Sequence, residues 1–410
     1  MNKEKNKLIP ELRFPEFINE DRWSFIKIED LIDQYVEKSD FTNQYPVLTS
    51  SREGIMFQRD YYNRDIASSD NSGYNVVPRG YFTYRHMSDD LIFKFNINTI
   101  CDRGIVSTLY PVFSANEEKI LPFFLQQKLN EGTEFRNFAN SQKQGGSRTY
   151  MYLSKLKELK LLVPNLPEQQ KIADCLSSLD ELLTAHRNKI ETLKIYKKGL
   201  MQNLFPQEGE KVPKLRFREF KKDGEWKKKK LGNEEVATFV NKKISIENLR
   251  LDNYVSTENM LPDFTGITTA LKIPSTGSFT KFSPGDILIS NIRPYLKKVW
   301  KASFEGGSSN DVLVFRAGSE VLSDYLEYLI KNEDFIDYIM KSVQGVKMPR
   351  GNKDSMKEYS VMIPTKNEQK HISLTLSSLD NLIHEQTNKI EHLKSHKKGL
   401  IQGLFPKVNN

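Results

Sequence analysis

The most constraining feature of the sequence is an internal duplication. A stretch from Glu168 to Pro206 returns from Glu368 to Pro406, with Leu-Ser-Ser-Leu-Asp, Asn-Lys-Ile-Glu, Lys-Lys-Gly-Leu and Leu-Phe-Pro at the same internal spacing. A Leu-Arg-Phe segment followed by a tryptophan also occurs twice, and its two tryptophans are Trp23 and Trp226. The duplication therefore covers the whole chain. Its period is too long for a solenoid and predicts two domain-sized units.

Each copy carries a stripe of apolar residues three or four positions apart, which predicts one long helix. Lys, Glu, Asn and Thr fill the positions outside the stripe. This pattern is typical of a coiled-coil seam and not of a helix wrapped in a domain core, so we expect the two helices to pair. The predicted seam residues are Ile172, Leu176, Leu179, Leu183, His186, Ile190, Leu193, Leu200, Ile372, Leu376, Leu379, Ile383, Gln386, Ile390, Leu393 and Leu400.

Polar residues interrupt both stripes at matching places. His186 and Gln386 stand near the helix middles, and Lys197 and Lys397 stand nearer the ends. Antiparallel pairing about the midpoints would place His186 against Gln386, between layers of leucines, and a buried polar pair there would fix the register. The alternative, in which both polar groups lie at the seam edge and reach water, stays open. At about 1.5 Å per residue, each helix spans on the order of 50 Å.

Length and composition restrict the class of protein. A chain of 410 residues exceeds the usual size of a single core. Its only cysteines, Cys101 and Cys175, exclude a disulfide framework and a cysteine-rich zinc site, as expected in a reducing cytosol. No apolar run resembles a signal peptide or a membrane span, so we expect a soluble, cytoplasmic protein. The net charge of +8 favours a polyanion partner, although lysine-rich surfaces also serve solubility.

The segments between the repeats have short β-type runs separated by turn residues, such as Gly104 to Tyr110. We therefore predict an α+β fold with a mixed, mostly antiparallel sheet in each half. The second half repeats the plan of the first, but with far lower identity than in the helices. The repeated helical scaffold is thus expected to carry two domains with different surfaces. The predicted boundaries are 1–22 for an N-terminal segment, 23–163 for a first domain, 164–212 for a central helical region, 213–225 for the repeated N-terminal segment, 226–363 for a second domain and 364–410 for a C-terminal helical region.

Motifs of catalysis are missing from the sequence. There is no phosphate loop of the Gly-Lys-Ser/Thr type, no Gly-x-Gly-x-x-Gly after a strand, and no Pro-Pro of the kind that amino-methyltransferases use. His392 and His396 are four residues apart, but the residues around them favour a solvated helix face. The tripeptide ending at Lys119 has no convincing upstream aspartate for a nuclease site. We predict no catalytic residue and no metal site.

Residues suited to DNA contact are easier to find. Arg, Asn and Gln read base edges through paired hydrogen bonds, lysine mainly binds phosphates, and small residues allow a close backbone approach. Each residue taken singly is more often an ordinary surface group, whereas the loops as sets are better candidates. The predicted DNA-binding residues are Arg79, Tyr81, Arg85, His86, Lys143, Gln144, Ser147, Arg148, Lys242, Lys243, Asn291, Arg293, Tyr295, Lys297, Lys298, Gln344, Lys347, Arg350, Asn352 and Lys353.

The duplicated elements, taken as an ordered set, resemble the specificity subunits of type I restriction-modification systems. The resemblance rests on the helix openings Glu168 to Ile172 and Glu368 to Lys370, the Lys-Lys-Gly-Leu-x-Gln-x-Leu-Phe-Pro ends, the Leu-Arg-Phe segments and Tyr325 to Leu329. It implies two target-recognition domains that each read half of an asymmetric, bipartite DNA site. It also implies two long antiparallel helices that join the domains in a pseudo-twofold arrangement.

The same resemblance implies partners and cofactors. Two adenine methyltransferase subunits would bring S-adenosylmethionine, and two translocase-nuclease subunits would bring ATP and magnesium. This chain would bind none of these cofactors. It would recognise the DNA sequence and position the partner subunits. Two alternatives remain from the residues alone: a nuclease or methyltransferase with an unrecognised site, and a coiled-coil scaffold that binds only proteins.

Overall fold

The computed structural model describes residues 8–61, 70–143, 148–343 and 349–406. The chain forms two compact units. The first unit comprises Met1–His186 together with Asn388–Asn410, and the second comprises Arg187–Thr387. Two helices of 39 residues each, Leu166–Leu204 and Lys366–Leu404, contribute one half to each unit.

The first unit contains twelve strands and four short α-helices in its described part. The strands are β1 (Ser24–Lys27), β2 (Ile32–Tyr35), β3 (Leu48–Ser51), β4 (Gly54–Phe57), β5 (Asn75–Pro78), β6 (Phe82–Thr83), β7 (Met87–Ser88), β8 (Asn96–Ile97), β9 (Arg103–Val106), β10 (Val112–Ala115), β11 (Thr149–Tyr150) and β12 (Lys160–Val163). The helices are α1 (Gln58–Tyr61), α2 (Pro122–Glu131), α3 (Thr133–Ser141) and α4 (Leu153–Leu156), and 3-10 turns lie at Pro15–Phe17 and Ile28–Asp30.

An antiparallel sheet in the order β2-β10-β6-β8 forms the centre of the first unit. Two-stranded pairs β1-β12, β3-β4, β5-β9 and β7-β11 surround it. Phe82 stacks on Phe113 across the central sheet, with ring centroids 4.8 Å apart. Trp23 meets Phe124 and Phe405 edge to face. Because Phe405 directly follows the second long helix, the end of that helix belongs to the core of the first unit.

The second unit repeats this plan. The first long helix is α5 (Leu166–Leu204); it is followed by β13 (Lys227–Lys230), β14 (Ala237–Phe239), β15 (Lys243–Ile244), β16 (Tyr254–Val255), β17 (Phe279–Phe282), β18 (Ile287–Ser290), β19 (Val299–Lys301), β20 (Gly306–Ser308), β21 (Val312–Ala317), α6 (Ser323–Ile330), α7 (Glu333–Lys341), α8 (Lys353–Glu358), β22 (Ser360–Ile363) and the second long helix, α9 (Lys366–Leu404). Three 3-10 turns lie at Arg218–Phe220, Ile246–Asn248 and Pro294–Leu296.

Sheets of the second unit run β14-β21-β18-β19, β15-β17-β20-β16 and β13-β22. Only the β16–β20 pairing is parallel among the strand pairs of the described residues. The predicted α+β class with a mixed, mostly antiparallel sheet is therefore confirmed.

Within each unit the long helices pair antiparallel, as predicted. In the first unit Asp180, early in α5, accepts two hydrogen bonds from Lys397, late in α9. In the second unit Lys197, late in α5, donates to Asp380, early in α9. Repeated residues thus make the same contact twice.

The predicted seam residues are all buried or half-buried. However, the expectation that the helices lie outside the domain cores is wrong at their ends. Ile172 and Leu176 belong to the core of the first unit together with Ile401 and Leu404. The corresponding ends of α9 and α5 are buried in the core of the second unit. Small sheets need a further wall to exclude water, and the helix ends supply it.

Candidate nucleic-acid interface

A buried ion pair fastens the Leu-Arg-Phe segment to the start of each long helix. Arg13 donates to both carboxylate oxygens of Glu168, at 2.8 and 2.7 Å, and Arg216 does the same to Glu368 at 2.8 Å for both bonds. These hydrogen bonds raise the pKa of both guanidinium groups. Paired bonds of this kind fix orientation as well as distance. The repeated Arg and Glu are therefore scaffold residues.

The glutamine that follows each of these glutamates holds a neighbouring loop. The Gln169 side chain accepts from the backbone N–H of Leu121 at 2.9 Å and donates to the carbonyls of Lys119 and Pro164, both at 3.0 Å. Gln369 makes the same three bonds, to Leu322 at 2.8 Å, Glu320 at 2.9 Å and Pro364 at 3.0 Å. The repeated Glu-Gln thus attaches each domain to its long helix through the same hydrogen bonds.

In the first unit the segment after β6 lies beside the segment that starts at Arg148. Tyr150 of β11 pairs with Met87 of β7, and the N–H of Met151 donates to the carbonyl of His86 at 2.7 Å. The N–H of His86 in turn donates to Leu109 at 3.2 Å. The loop after β6 and the segment that starts at Arg148 therefore form one surface.

The second unit uses the same main-chain contacts. Arg350 forms a bridge with Ile292, and the N–H of Gly351 donates to Asn291 at 3.0 Å. The N–H of Asn291 donates to Asp311 at 2.8 Å. Asn291 is therefore the structural equivalent of His86, and Arg350 is the equivalent of Tyr150. By the same register Asn352 corresponds to Tyr152.

The side chains at these equivalent positions differ in chemistry. In the first unit the rings of His86, Tyr150 and Tyr152 lie together, with centroids 4.9 to 6.0 Å apart. In the second unit Arg350 pairs with Asp311 at 3.2 Å. Both sites are therefore built on one backbone framework and present unlike groups.

A strained turn lies beside the site of the second unit. Arg293 and Lys297 have positive φ angles of 50° and 52° on either side of a short 3-10 turn. The N–H of Arg293 donates to Pro349 at 2.8 Å, and Nζ of Lys297 donates to Glu333 at 2.7 Å. Strain of this kind concentrates at functional sites and persists because surrounding bonds hold it. The turn leaves Arg293 and Tyr295 exposed.

The predicted DNA-binding residues have different environments. The exposed ones are Arg79, Arg85, Lys143, Arg148, Lys242, Lys243, Arg293, Tyr295 and Arg350. Those that are half-buried are Tyr81, Asn291, Lys297, Lys298, Asn352 and Lys353, and His86 is buried. The predictions at Gln144, Ser147, Gln344 and Lys347 lie outside the described residues.

Several of these residues have structural partners. Nζ of Lys298 donates to the carbonyl of Thr257 at 2.6 Å, and burial lowers the pKa of this lysine. Lys353 lies 4.6 Å from the ring centroid of Phe239, and burial lowers its pKa as well. Asn352 caps α8 by accepting from the N–H groups of Asp354 and Ser355, at 2.9 and 3.1 Å. Arg79 pairs with Asp102 at 3.0 Å.

Sequence reasoning missed two groups. Tyr150 and Tyr152 were not among the predicted contact residues, although the alternation Tyr-Met-Tyr puts both tyrosines on one side of an extended segment. Asp180 and Asp380 were also overlooked, although both belong to the repeated Leu-Ser-Ser-Leu-Asp. Across the described part of the chain, no cluster of His, Cys, Asp and Glu has the arrangement of a metal site. Over the same residues, no helix has the length and apolar character of a membrane span.

A repeated scaffold with two unlike loop surfaces defines an internally duplicated protein with two sites. The chain belongs to the family described as the type I restriction modification DNA specificity domain, whose model matches residues 20–194 and 223–392.

Two curated relatives come from Methanocaldococcus jannaschii. The putative type I restriction enzyme MjaX specificity subunit is 25% identical over 303 residues, which cover 71% of this chain and 68% of the relative. The type I restriction enzyme MjaVIII specificity subunit is 25% identical over 311 residues, which cover 70% of this chain and 69% of the relative. The fold is that of the crystal structure of the S subunit of a type I restriction-modification system from M. genitalium: the TM-score is 0.59 at 15% identity, covering 98% of this chain and 100% of the other.

Proposed function

We propose that this chain is the DNA-recognition subunit of a type I restriction-modification complex and reads an asymmetric, bipartite DNA sequence. Each unit reads one half of the sequence through its loop surface. The chain itself is not catalytic. Modification and cleavage are carried out by partner subunits that bind to the repeated scaffold.

The observation that carries the proposal is the contrast between scaffold and loops. The pairs Arg13–Glu168 and Arg216–Glu368 are the same contact in both units. At the equivalent loop positions, the first unit has Tyr150 where the second has Arg350. A repeated scaffold suits two copies of one partner, whereas diverged loops suit two different base sequences.

The expected partners are two methyltransferase subunits and two translocase-nuclease subunits. The methyltransferase would bring S-adenosylmethionine, and the translocase-nuclease would bring ATP and magnesium. A methyltransferase that acts on a base in duplex DNA extrudes that base into its own pocket. The role left for this chain is to bring that pocket to the correct base.

The length of the long helices supports a further part of the proposal. At about 1.5 Å per residue, a helix of 39 residues is about 58 Å long. We propose that these helices set the number of unspecified base pairs between the two half-sites. Lengthening both helices by the same few residues should change this spacer and leave both half-sites unchanged. New half-sites with the old spacer would contradict this part.

The test of the proposal is to express the full chain with its methyltransferase partner and map modified adenines across the genome. We expect one two-part motif with unlike halves. Random modification, or a motif of a single uninterrupted string, would refute the proposal.

A second assay addresses the enzyme alternative. The purified chain is incubated with DNA, magnesium and S-adenosylmethionine in the absence of partners. We expect neither methylated nor cleaved DNA. Turnover by the chain alone would show that it carries its own active site. The scaffold alternative predicts no sequence-selective binding of DNA even after the methyltransferase is added.

A further inference from the structure

Three aromatic rings form a patch on the loop surface of the first unit. Tyr152 stacks on His86 with ring centroids 4.9 Å apart, and Tyr150 stacks on Tyr152 at 5.8 Å. The planes of these three rings are inclined to one another by 11 to 34°. His86 is buried beneath, while Tyr150 and Tyr152 are 44% and 55% exposed. Two tyrosine rings are therefore held in fixed orientation at the surface.

The fold does not require aromatic residues at these positions. The second unit makes the same main-chain contacts with Asn291, Arg350 and Asn352 in place of the three rings. Tyr150 and Tyr152 also lie outside the hydrophobic cores of the first unit. Their ring area is exposed apolar surface for which the packing of this unit gives no reason.

Two arginines lie close to the patch in sequence. Arg85 and Arg148 are exposed and adjoin His86 and the β11 strand in sequence. Arg148 is held by Asp89 at 2.9 Å and keeps about half of its side chain exposed. Exposed, uncharged rings with arginines nearby in sequence suit a DNA groove, where phosphates flank the base edges.

We propose that Tyr150 and Tyr152 are specificity-determining residues that contact thymine methyl groups in the DNA half-site of the first unit. This inference rests on the proposed function. The thymine methyl is the apolar group that the major groove displays, and it is read by apolar side chains. An adenine methyltransferase implies at least one A·T pair in each half-site, so a thymine is present there. His86 is a positioning residue because it holds both tyrosine rings from below.

The test measures binding of the full complex with its methyltransferase to synthetic duplexes at one fixed salt concentration. One duplex carries the mapped site, and the other has uracil in place of thymine in the first half-site only. Uracil keeps the hydrogen-bonding edge and removes the methyl. The variants are Tyr150→Ala/Tyr152→Ala, Tyr150→Phe/Tyr152→Phe and, as a control in the second unit, Arg350→Ala.

For the wild type we expect uracil to weaken binding roughly 4- to 10-fold, since burying one methyl group strengthens binding by about this factor. The alanine variant should bind the thymine duplex roughly 10- to 100-fold more weakly. Its affinities for the thymine and uracil duplexes should be nearly equal. The phenylalanine variant and Arg350→Ala should both retain the thymine preference of the wild type.

Two results would overturn the inference. A wild-type complex that binds the uracil duplex as tightly as the thymine duplex refutes it without any variant. A thymine preference that survives in the alanine variant also refutes it, because the weaker DNA binding of this variant would then have a cause other than a lost methyl contact. In both cases selective binding of the mapped site persists. A wild type with no selective binding at all would instead refute the proposed function.

Discussion

Lys397 donates two hydrogen bonds to the carboxylate of Asp180, at 2.6 and 2.7 Å, and its side chain is largely shielded from water. Lys197 and Asp380 form the corresponding pair in the second unit, where the Tyr328 hydroxyl also donates to Asp380 at 2.9 Å. Burial lowers the pKa of Lys197, and the carboxylate of Asp380 opposes that effect. These pairs hold the long helices in one antiparallel register within each unit.

Removing one of these lysines should destabilise the unit that contains it. Lys397→Ala leaves Asp180 without its partner, and we expect a loss of about 1–3 kcal/mol of unfolding free energy, between the values for exposed and buried pairs. Lys394→Ala is the matched control, because Lys394 forms an exposed pair with Glu391 of its own helix. Chemical denaturation measures both. Restored stability in Lys397→Asp/Asp180→Lys would support the pairing, and equal losses in the two alanine variants would contradict it.

Gln169 and Gln170 are neighbours with different roles. Gln169 is fully buried and bonds three backbone groups, whereas Gln170 makes an exposed bond to Asp174. Gln169→Ala leaves buried backbone groups without partners, so we expect a loss of about 2–4 kcal/mol. Gln170→Ala should change stability by no more than about 0.5 kcal/mol. Thermal unfolding of the two variants tests this. Similar melting temperatures would mean that the hydrogen bonds of Gln169 do not stabilise the first unit.

The two repeated tryptophans should respond differently to the same substitution. Nε1 of Trp23 donates to Glu168 at 3.2 Å, whereas Nε1 of Trp226 has no hydrogen-bond partner among the described residues. Phenylalanine removes a similar ring area at both positions. Trp23→Phe also removes a bond to a charged group, and should therefore destabilise its unit by about 1–2 kcal/mol more than Trp226→Phe does. Hydrogen exchange resolved by unit measures the difference, and a larger effect at Trp226 would contradict it.

Acid should weaken the ion pair between Glu333 and Lys297 of the strained turn. Glu333 accepts bonds from Lys198 and Lys297, both at 2.7 Å, and these hold its pKa below the ordinary value of 4.5. A carboxylate with a lowered folded-state pKa contributes stability that is complete above the unfolded-state value and is lost as the pH falls through the folded-state value.

The wild type should therefore exceed Glu333→Gln in stability at pH 7, and this difference should shrink as the pH falls below about 4.3. The pKa of Asp334 is raised chiefly by burial, which both proteins share, so the main part of its opposite contribution cancels in the comparison. Thermal unfolding over this pH range is the measurement. A difference that is independent of pH would mean that the charge of Glu333 contributes nothing.

The parts of the fold that follow from periodicity could be predicted from the sequence. Apolar spacing predicted both long helices and their antiparallel pairing, but not the Lys–Asp contacts between them. Burial of the helix ends was not predicted, because the same spacing describes a helix that faces a partner helix and one that faces a domain core. Ile172 and Leu176 face the core.

The roles of individual loop residues could not be predicted, because residue type does not specify a partner. Lys298 and Asn352 have the side chains of DNA contacts, yet one donates to a backbone carbonyl and the other caps a helix. Residue type likewise does not distinguish the exposed Tyr150 and Tyr152 from core tyrosines. Their exposure depends on which side of the extended segment from Thr149 to Tyr152 is covered, and tertiary packing decides this.

We propose that each unit independently reads one half of a bipartite site. The most direct test exchanges residues 23–163 for those of a relative and maps modified adenines with the same methyltransferase. We expect one half of the motif to change, while the other half and the spacer stay as in the wild type. A change in both halves, or in neither, would contradict it.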